Sequence, residues 1–135
     1  MRIYFDTNVL FSAFVSHGVC AGLYEECLQR ATLVVSDHIL AELEEKLITK
    51  AKVSKNDARE VVSAVLADSE LIKAKPLNHS VCRDPDDDLV LGGAHEAKTD
   101  AIVAGDQDLL VLKQYQGIPI LNPRDCLAFL AEGEG

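Results

Sequence analysis

Short apolar runs alternate along the chain with longer stretches of helical periodicity. Ile3-Tyr4-Phe5, Leu33-Val34-Val35 and Ala101-Ile102-Val103-Ala104 are too short and too rich in β-formers for helices, and each reads as a strand. Between them, helices are predicted around Gly22 to Arg30, from Ile39 to about Lys50 on the stripe Ile39, Leu40, Leu43 and Leu47, and from about Lys55 to Ala67. A short strand near Leu71-Ile72-Lys73 and a loop from Asn78 to Arg83 lead into a helix opened by Asp84-Pro85, where proline at the first helical position loses no hydrogen bond. Another helix runs through Leu109 to Leu112. Ile118-Pro119-Ile120-Leu121 is expected as a final edge strand, and Asn122-Pro123 opens a last helix through Leu127 and Phe129. This alternation predicts one α/β domain over residues 1–131, with 132–135 as a disordered tail.

Acidic residues fall where such a fold puts strand ends and helix starts. Asp6 follows the first strand directly, and Gly105-Asp106-Gln107-Asp108 follows the third. Ser36-Asp37 is a good helix N-cap pair after the second, and that helix carries Glu42 in its second turn. In open parallel sheets ligands bind at the carboxyl ends of strands, so three of the four acidic groups reach one edge. The fourth is Asp84-Pro85-Asp86-Asp87-Asp88. Around the apolar face centred near Val90, Leu91, Ala94 and Ala97, Asp87 lies within roughly 30° of the centre and Asp88 about 130° away. Asp87 is therefore the inward carboxylate, with Asp88 its rival. Complementing the helix dipole is the bland alternative for each of these residues. Glu42 and Glu44 flank opposite edges of their stripe, and only nearness to the helix start favours Glu42. Asp108 reads equally as a cap, which leaves Asp106 the better ligand candidate.

Carboxylates held together repel: unit charges 4 Å apart cost about 4 kcal/mol at an effective dielectric of 20. Hard divalent cations are the common remedy, and oxygen-only ligands suit Mg²⁺ or Mn²⁺ better than zinc. Two such ions can hold an attacking water and a leaving oxygen across a phosphodiester. Phosphodiester hydrolysis by metal-activated water is the chemistry implied.

Phe5-Asp6-Thr7-Asn8-Val9-Leu10, Ser36-Asp37-His38-Ile39-Leu40-Ala41-Glu42, Cys82-Arg83-Asp84-Pro85-Asp86-Asp87-Asp88 and Ile102-Val103-Ala104-Gly105-Asp106-Gln107-Asp108-Leu109-Leu110 stand in an order and spacing that resembles the PIN domain family, which includes the VapC-type toxins of prokaryotic toxin-antitoxin pairs. The resemblance runs over nearly the whole chain. It implies a three-layer α/β/α architecture with a central parallel sheet, Asp6, Glu42, Asp87 and Asp106 as metal ligands, and Asn8, Ser36 and Asp108 as supporting groups, with Asp88 beside them. It also implies RNA as substrate, an antitoxin partner and a homodimer. Two departures stand out. Ala104 occupies a place where the pattern often has Thr or Ser, and Gly92-Gly93 interrupts the acidic helix where Ala or larger residues are usual. Two glycines cost a helix roughly 1 kcal/mol each, so a loose metal-binding half is expected.

A chain of 135 residues makes one ordinary domain, long enough to bury about two thirds of its unfolded surface. No signal peptide is expected before Arg2, and no apolar run approaches the roughly 20 residues of a membrane span, which predicts a cytoplasmic protein without membrane contact. Cys20, Cys27, Cys82 and Cys126 lack C-x-x-C spacing, and Cys20 and Cys27, seven apart on a predicted helix, have α-carbons about 10 Å apart, too far for a disulfide. Free thiols follow. His17 with Cys20 is half a zinc site without a second pair. His38 stands beside the predicted site as a helix-start side chain or a proton-transfer group.

The net charge of −9 runs against phosphate binding, which normally draws on Lys and Arg. Two bound divalent ions would cancel about four of those charges. Lys46, Lys50, Lys52, Lys55 and Arg59 place five of the thirteen basic residues in one helix-turn-helix stretch, a path that guides RNA or a solvated turn. With three Tyr, four Phe and no Trp there is little surface for stacking bases.

Three functions compete on these grounds. A Mg²⁺- or Mn²⁺-dependent endoribonuclease, acting as a toxin, leads. A haloacid dehalogenase-type phosphatase also begins with Asp after a strand, but needs a second Asp two residues on, where this chain has Asn8. A catalytically idle PIN-like module that binds RNA or protein draws its support from Gly92-Gly93 and Ala104.

Overall fold

Ile3, Tyr4 and Phe5 are completely buried. A strand covered on both faces by helices needs no polar alternation, and this run forms the middle of the sheet. The computed structural model describes residues 1–77 and 79–133. The strands are β1 (Arg2–Phe5), β2 (Thr32–Ser36), β3 (Ser69–Ile72), β4 (Ala101–Val103), β5 (Gln114–Tyr115) and β6 (Ile118–Leu121), in the order β3-β2-β1-β4-β6-β5. All neighbours run parallel except β5 against β6. The helices are α1 (Thr7–Val15), α2 (Val19–Arg30), α3 (Asp37–Thr49), α4 (Lys55–Asp68), α5 (Pro85–Glu96), α6 (Gln107–Leu110) and α7 (Pro123–Gly133).

Adjacent residues of β1 show the three layers directly, because neighbouring side chains on a strand point to opposite faces. Phe5 meets Tyr24 of α2 edge to face with ring centroids 6.3 Å apart. Tyr4, on the other face, lies against Gly93 of α5. The architecture is thus the expected helix-sheet-helix arrangement around a largely parallel sheet. No helix among the described residues is long and apolar enough to cross a membrane, and all four cysteines are free.

Three features depart from the sequence reading. The first is α1, to which no element was assigned. Its run Val9-Leu10-Phe11 is too short to show helical periodicity, and the decisive signal is the Asp6 side chain, which accepts the Thr7 N–H and starts the helix without any linker. The second is the sheet edge. β6 is interior, paired with β4 through Ile102 and Ile120, and the outer strand is the two-residue β5. Gln116 and Gly117, at φ 51° and 82°, make the two-residue turn that folds β5 back. Gln-Gly is a weaker hairpin signal than Asn-Gly, and Pro119 in β6 had argued for an edge. The third is the C-terminus: α7 continues through Gly133, and residues 134 and 135 of the expected tail lie outside the described residues.

Gly92 and Gly93 also acquire a different meaning. A Cβ on Gly92 would fall 1.9 Å from the Lys75 carbonyl oxygen, and one on Gly93 would fall 2.8 Å from the Tyr4 hydroxyl. The pair does not loosen α5. It lets the helix sit against the Lys75 backbone and against β1 at once, and both residues are buried. Gly92→Ala is therefore expected to lower unfolding free energy by about 2 kcal/mol or more, since the backbone it meets cannot rotate away. Gly22→Ala in α2, where a Cβ meets nothing within 4 Å, is expected to stabilise by about 0.5–1 kcal/mol. Denaturant unfolding of both variants checks the pair; a Gly92→Ala protein as stable as the parent would refute the close-approach role.

Candidate metal site at the strand ends

The chain leaves β1 toward β2 on one side, while β4 joins β1 on the other, so the crevice between β1 and β4 is a topological switch point. Asp6 stands in it. Its N–H donates to the Val103 carbonyl at 3.0 Å, fixing it across the end of β4, and its carboxylate caps α1 by accepting the Thr7 N–H at 2.8 Å. Asp106 leaves β4 beyond Gly105 and caps α6, accepting the Asp108 N–H at 2.9 Å. Glu42 reaches in from the second turn of α3, where it accepts the Thr7 hydroxyl at 2.9 Å. Asp6, Glu42, Asp87 and Asp106 line one cavity of about 80 Å³, with Asn8, Lys46 and Asp86 also on its wall. That volume admits a cation and a few waters.

Asp87 is 7% exposed, and its Oδ2 has no hydrogen-bond partner among the described residues. Asp88 is equally buried but differently used: its carboxylate accepts from the Val81 N–H at 3.2 Å, the Cys82 N–H at 2.8 Å and the Ser80 hydroxyl at 3.3 Å. It ties down the loop before α5. Asp84 caps that helix by accepting the Asp86 N–H at 2.9 Å. Asp87 is the member of the run whose carboxylate is buried and still unspent.

Ionising this set is costly, and the acids show it. Asp87 is pushed up to about 7, first by burial and then by Asp106, Asp6, Asp84 and Asp108. Asp6 is pushed up to about 6 by burial, with Glu42 and Asp106 adding to the rise and the Thr7 N–H and Lys46 opposing it. Both shifts have the sign that a bound cation would reverse. One carboxylate oxygen each from Asp87, Asp106 and Asp108 lie within 4.8 Å of one another, as do single donor atoms of His38, Glu42 and Asp86. Neither group includes His17 or Cys20.

The remaining predicted residues divide. Asn8 accepts from the Lys46 ammonium at the cavity wall. Asp108 is held by Arg83 at 2.9 Å. Ser36 is buried as the cap of α3, accepting the Ile39 N–H at 3.1 Å, and is not a cavity residue. Ala104 is buried and donates its N–H to Leu121 at 2.9 Å, joining β4 to β6. Of the five basic residues Lys46 alone reaches the cavity. Lys50 and Lys52 lie between α3 and α4, whereas Lys55 and Arg59 belong to the start of α4, with Arg59 paired to Glu44 at 3.5 Å. Two contributors were not singled out from the sequence. Thr7 couples the α1 start to Glu42, and Arg83 neutralises Asp108. Lys46 was grouped with the basic turn, although its place one helical turn after Glu42 was the available signal. A larger cleft of about 500 Å³ opens beside α5, but its one acid, Glu96, is paired with Lys75 at 3.3 Å. It offers no comparable set.

The folded-state value of about 7 for Asp87 lies above its ordinary 3.8. The folded chain therefore holds this proton more tightly than the unfolded chain, and stability falls as pH rises from about 4 through 7. In chelator-treated protein Asp87→Asn is expected to raise the melting midpoint by about 4 °C at pH 8, the effect of about 1 kcal/mol in a domain of this size. The gain should shrink toward pH 5. A midpoint lowered at pH 8 would show that Asp87 has a partner that stabilises its charge.

Comparison with known proteins agrees with this frame. A family model described as PIN domain matches residues 2–108. An uncharacterized protein of Methanocaldococcus jannaschii is 30% identical over 122 residues, covering 84% of this chain and 76% of that protein. Among solved structures, VapBC2 from Rickettsia felis bound to a promoter DNA fragment superposes with a TM-score of 0.66 at 17% identity, covering 90% of this chain and 98% of that one. VapC20 of Mycobacterium tuberculosis, a sarcin-ricin loop cleaving toxin, gives 0.61 at 11% identity, covering 87% and 98%. DNA-bound VapBC from Salmonella typhimurium gives 0.61 at 16% identity, covering 91% and 98%. These likenesses establish a shared fold, and the family match over most of the chain establishes that the protein belongs to the PIN domain family.

Proposed function

We propose that this PIN-domain protein is a divalent-metal-dependent endoribonuclease that hydrolyses RNA phosphodiester bonds, and that it acts as the toxin of a toxin-antitoxin pair. The observation that carries the reading is the buried Asp87 carboxylate, whose Oδ2 has no hydrogen-bond partner among the described residues and which lines with Asp6 and Asp106 a cavity able to hold a cation and a few waters. Asp6, Glu42, Asp87 and Asp106 would hold Mg²⁺ or Mn²⁺, whose oxygen preference matches this donor set. When bound, the cation supplies water activation and stabilisation of charge on the phosphate oxygens. The chain's own groups do the placing. Thr7 orients Glu42, Asn8 orients Lys46, and Arg83 restrains Asp108.

Lys46 is the cation closest to a phosphate seated at the cavity, Lys50 and Lys52 follow the end of the same helix, and Lys55 and Arg59 open α4. This arrangement supports an RNA strand running along α3 despite the net charge of −9. The fold shared with the Rickettsia and Salmonella VapBC complexes and with the Mycobacterium toxin supports the toxin reading and an antitoxin partner. The idle-module alternative loses half of its support, since Gly92-Gly93 seats α5 instead of loosening it.

Calorimetric titration with Mn²⁺ separates the readings before any RNA is chosen. Wild-type protein is expected to bind at one or two saturable sites, Asp87→Asn at least tenfold more weakly. Asp88→Asn should keep its metal affinity within a few-fold while losing about 1–3 kcal/mol of stability, the cost of disturbing its loop hydrogen bonds. Equal binding by wild type and Asp87→Asn would sink the site, and no binding by either would favour the non-catalytic module. Growth arrest on expression, relieved by Asp6→Asn, tests the toxin.

A further inference from the structure

His38 lies at the second position of α3, one turn before Glu42, so the two side chains share a face. Its Nε2 is 3.4 Å from Glu42 Oε1 and 3.3 Å from Asp86 Oδ1, the latter carried across the cavity mouth by α5. That nitrogen is shielded from solvent and makes no hydrogen bond among the described residues. The trio adjoins Asp87, Asp106 and Asp108, which offer oxygen only. Glu42 and Asp86 both line the cavity into which the unpartnered, 7%-exposed Asp87 carboxylate faces.

We propose that His38 is a nitrogen ligand to a second cation position formed with Glu42 and Asp86, chemically distinct from the all-oxygen position that Glu42 shares with Asp6, Asp87 and Asp106. The inference rests on the metal-site reading above and refines it. Mg²⁺ favours oxygen and keeps its waters, whereas Mn²⁺ and later divalent metals accept imidazole. The two positions therefore differ in selectivity: Mg²⁺ can fill the all-oxygen position, and the His38 position takes Mn²⁺ in preference. Thr7, which donates to Glu42 Oε1, holds the shared carboxylate in place. Lys46, which lines the same cavity, donates to Asn8.

Pulsed electron paramagnetic resonance of Mn²⁺ bound to the full chain reads nitrogen ligation without any substrate. Wild-type protein loaded with two equivalents is expected to show ¹⁴N modulation that disappears in His38→Ala, with Mn²⁺ affinity at one site reduced about tenfold or more and Mg²⁺ affinity changed less than about twofold. His38→Gln, which keeps a polar side chain at this partly exposed helix position, should lose the nitrogen signal as well while its circular dichroism stays unchanged. Mn²⁺ bound in an Asp87-dependent way with no ¹⁴N signal would overturn the His38 position alone and leave His38 as an ion-pair partner of Glu42 and Asp86. A nitrogen signal that survives both His38 variants would overturn it too. Absence of Mn²⁺ binding in the wild type would overturn this position and the metal site together.

Discussion

The seating of α5 is the constraint on which the site depends. This helix carries Asp86, Asp87 and Asp88 in its first turn, and their directions are set by how closely its middle approaches the sheet. Gly93 lies against the Tyr4 hydroxyl of the interior strand β1, and Gly92 against the Lys75 backbone. Two contacts on different sides fix both the height of the helix and its rotation. Any side chain at either place would lift or turn α5, and Asp87 would leave the crevice between β1 and β4. The roughly 1 kcal/mol of helix propensity surrendered at each glycine is the cost of that placement, and Asp88 adds a second restraint by gripping the loop at residues 80–82.

Once α5 is seated, electrostatics decides what the cavity must contain. Asp6 and Asp87 are both pushed upward by burial and by neighbouring acids, and Lys46 and Arg83 relieve only part of this, the latter at Asp108 on the rim. A domain of this size has about 5–15 kcal/mol of net stability, so two strained carboxylates are a substantial fraction of it. Asparagine at either position would keep the shape and remove the strain. On the proposed metal-site reading, a bound cation would return that energy as affinity. A helix-capping role accounts for Asp6 and Asp106, each of which does cap a helix. It does not account for Asp87, whose Oδ2 caps nothing.

Legibility in the sequence tracked how local each signal was. Strands β1, β2 and β4 and helices α3, α4 and α5 were readable because a buried parallel strand is a plain apolar run and an amphipathic helix repeats its stripe. Asp84-Pro85 announced α5 through cap chemistry confined to neighbouring residues. By contrast, α1 begins within the strand-end motif, so its nine residues never accumulate a period, and β5 has two residues and no pattern at all. The meaning of Gly92-Gly93 was invisible for a different reason. A glycine's contacts lie with Tyr4 and Lys75, distant in sequence, and only the propensity cost is local. Lys46 and Thr7 illustrate the intermediate case: both are adjacent in sequence or helical phase to named acids, yet their partners, Asn8 and Glu42, come from another element.

The proposed ribonuclease function asks a strongly acidic chain to bind a polyanion. Repulsion between RNA and a net charge of −9 is long-ranged but screened beyond a Debye length of about 8 Å at physiological ionic strength. What a phosphate would meet at contact on that proposal is local: divalent charge at the carboxylates, then Lys46, then Lys50 and Lys52 beyond the end of α3. On that proposal metal loading and substrate binding would be coupled, because the cavity without cations would present Asp6, Glu42, Asp87 and Asp106 to the phosphate and repel it. On the same proposal, a cationic side chain from a partner placed among these carboxylates would satisfy Asp87 and exclude both metal and RNA at once.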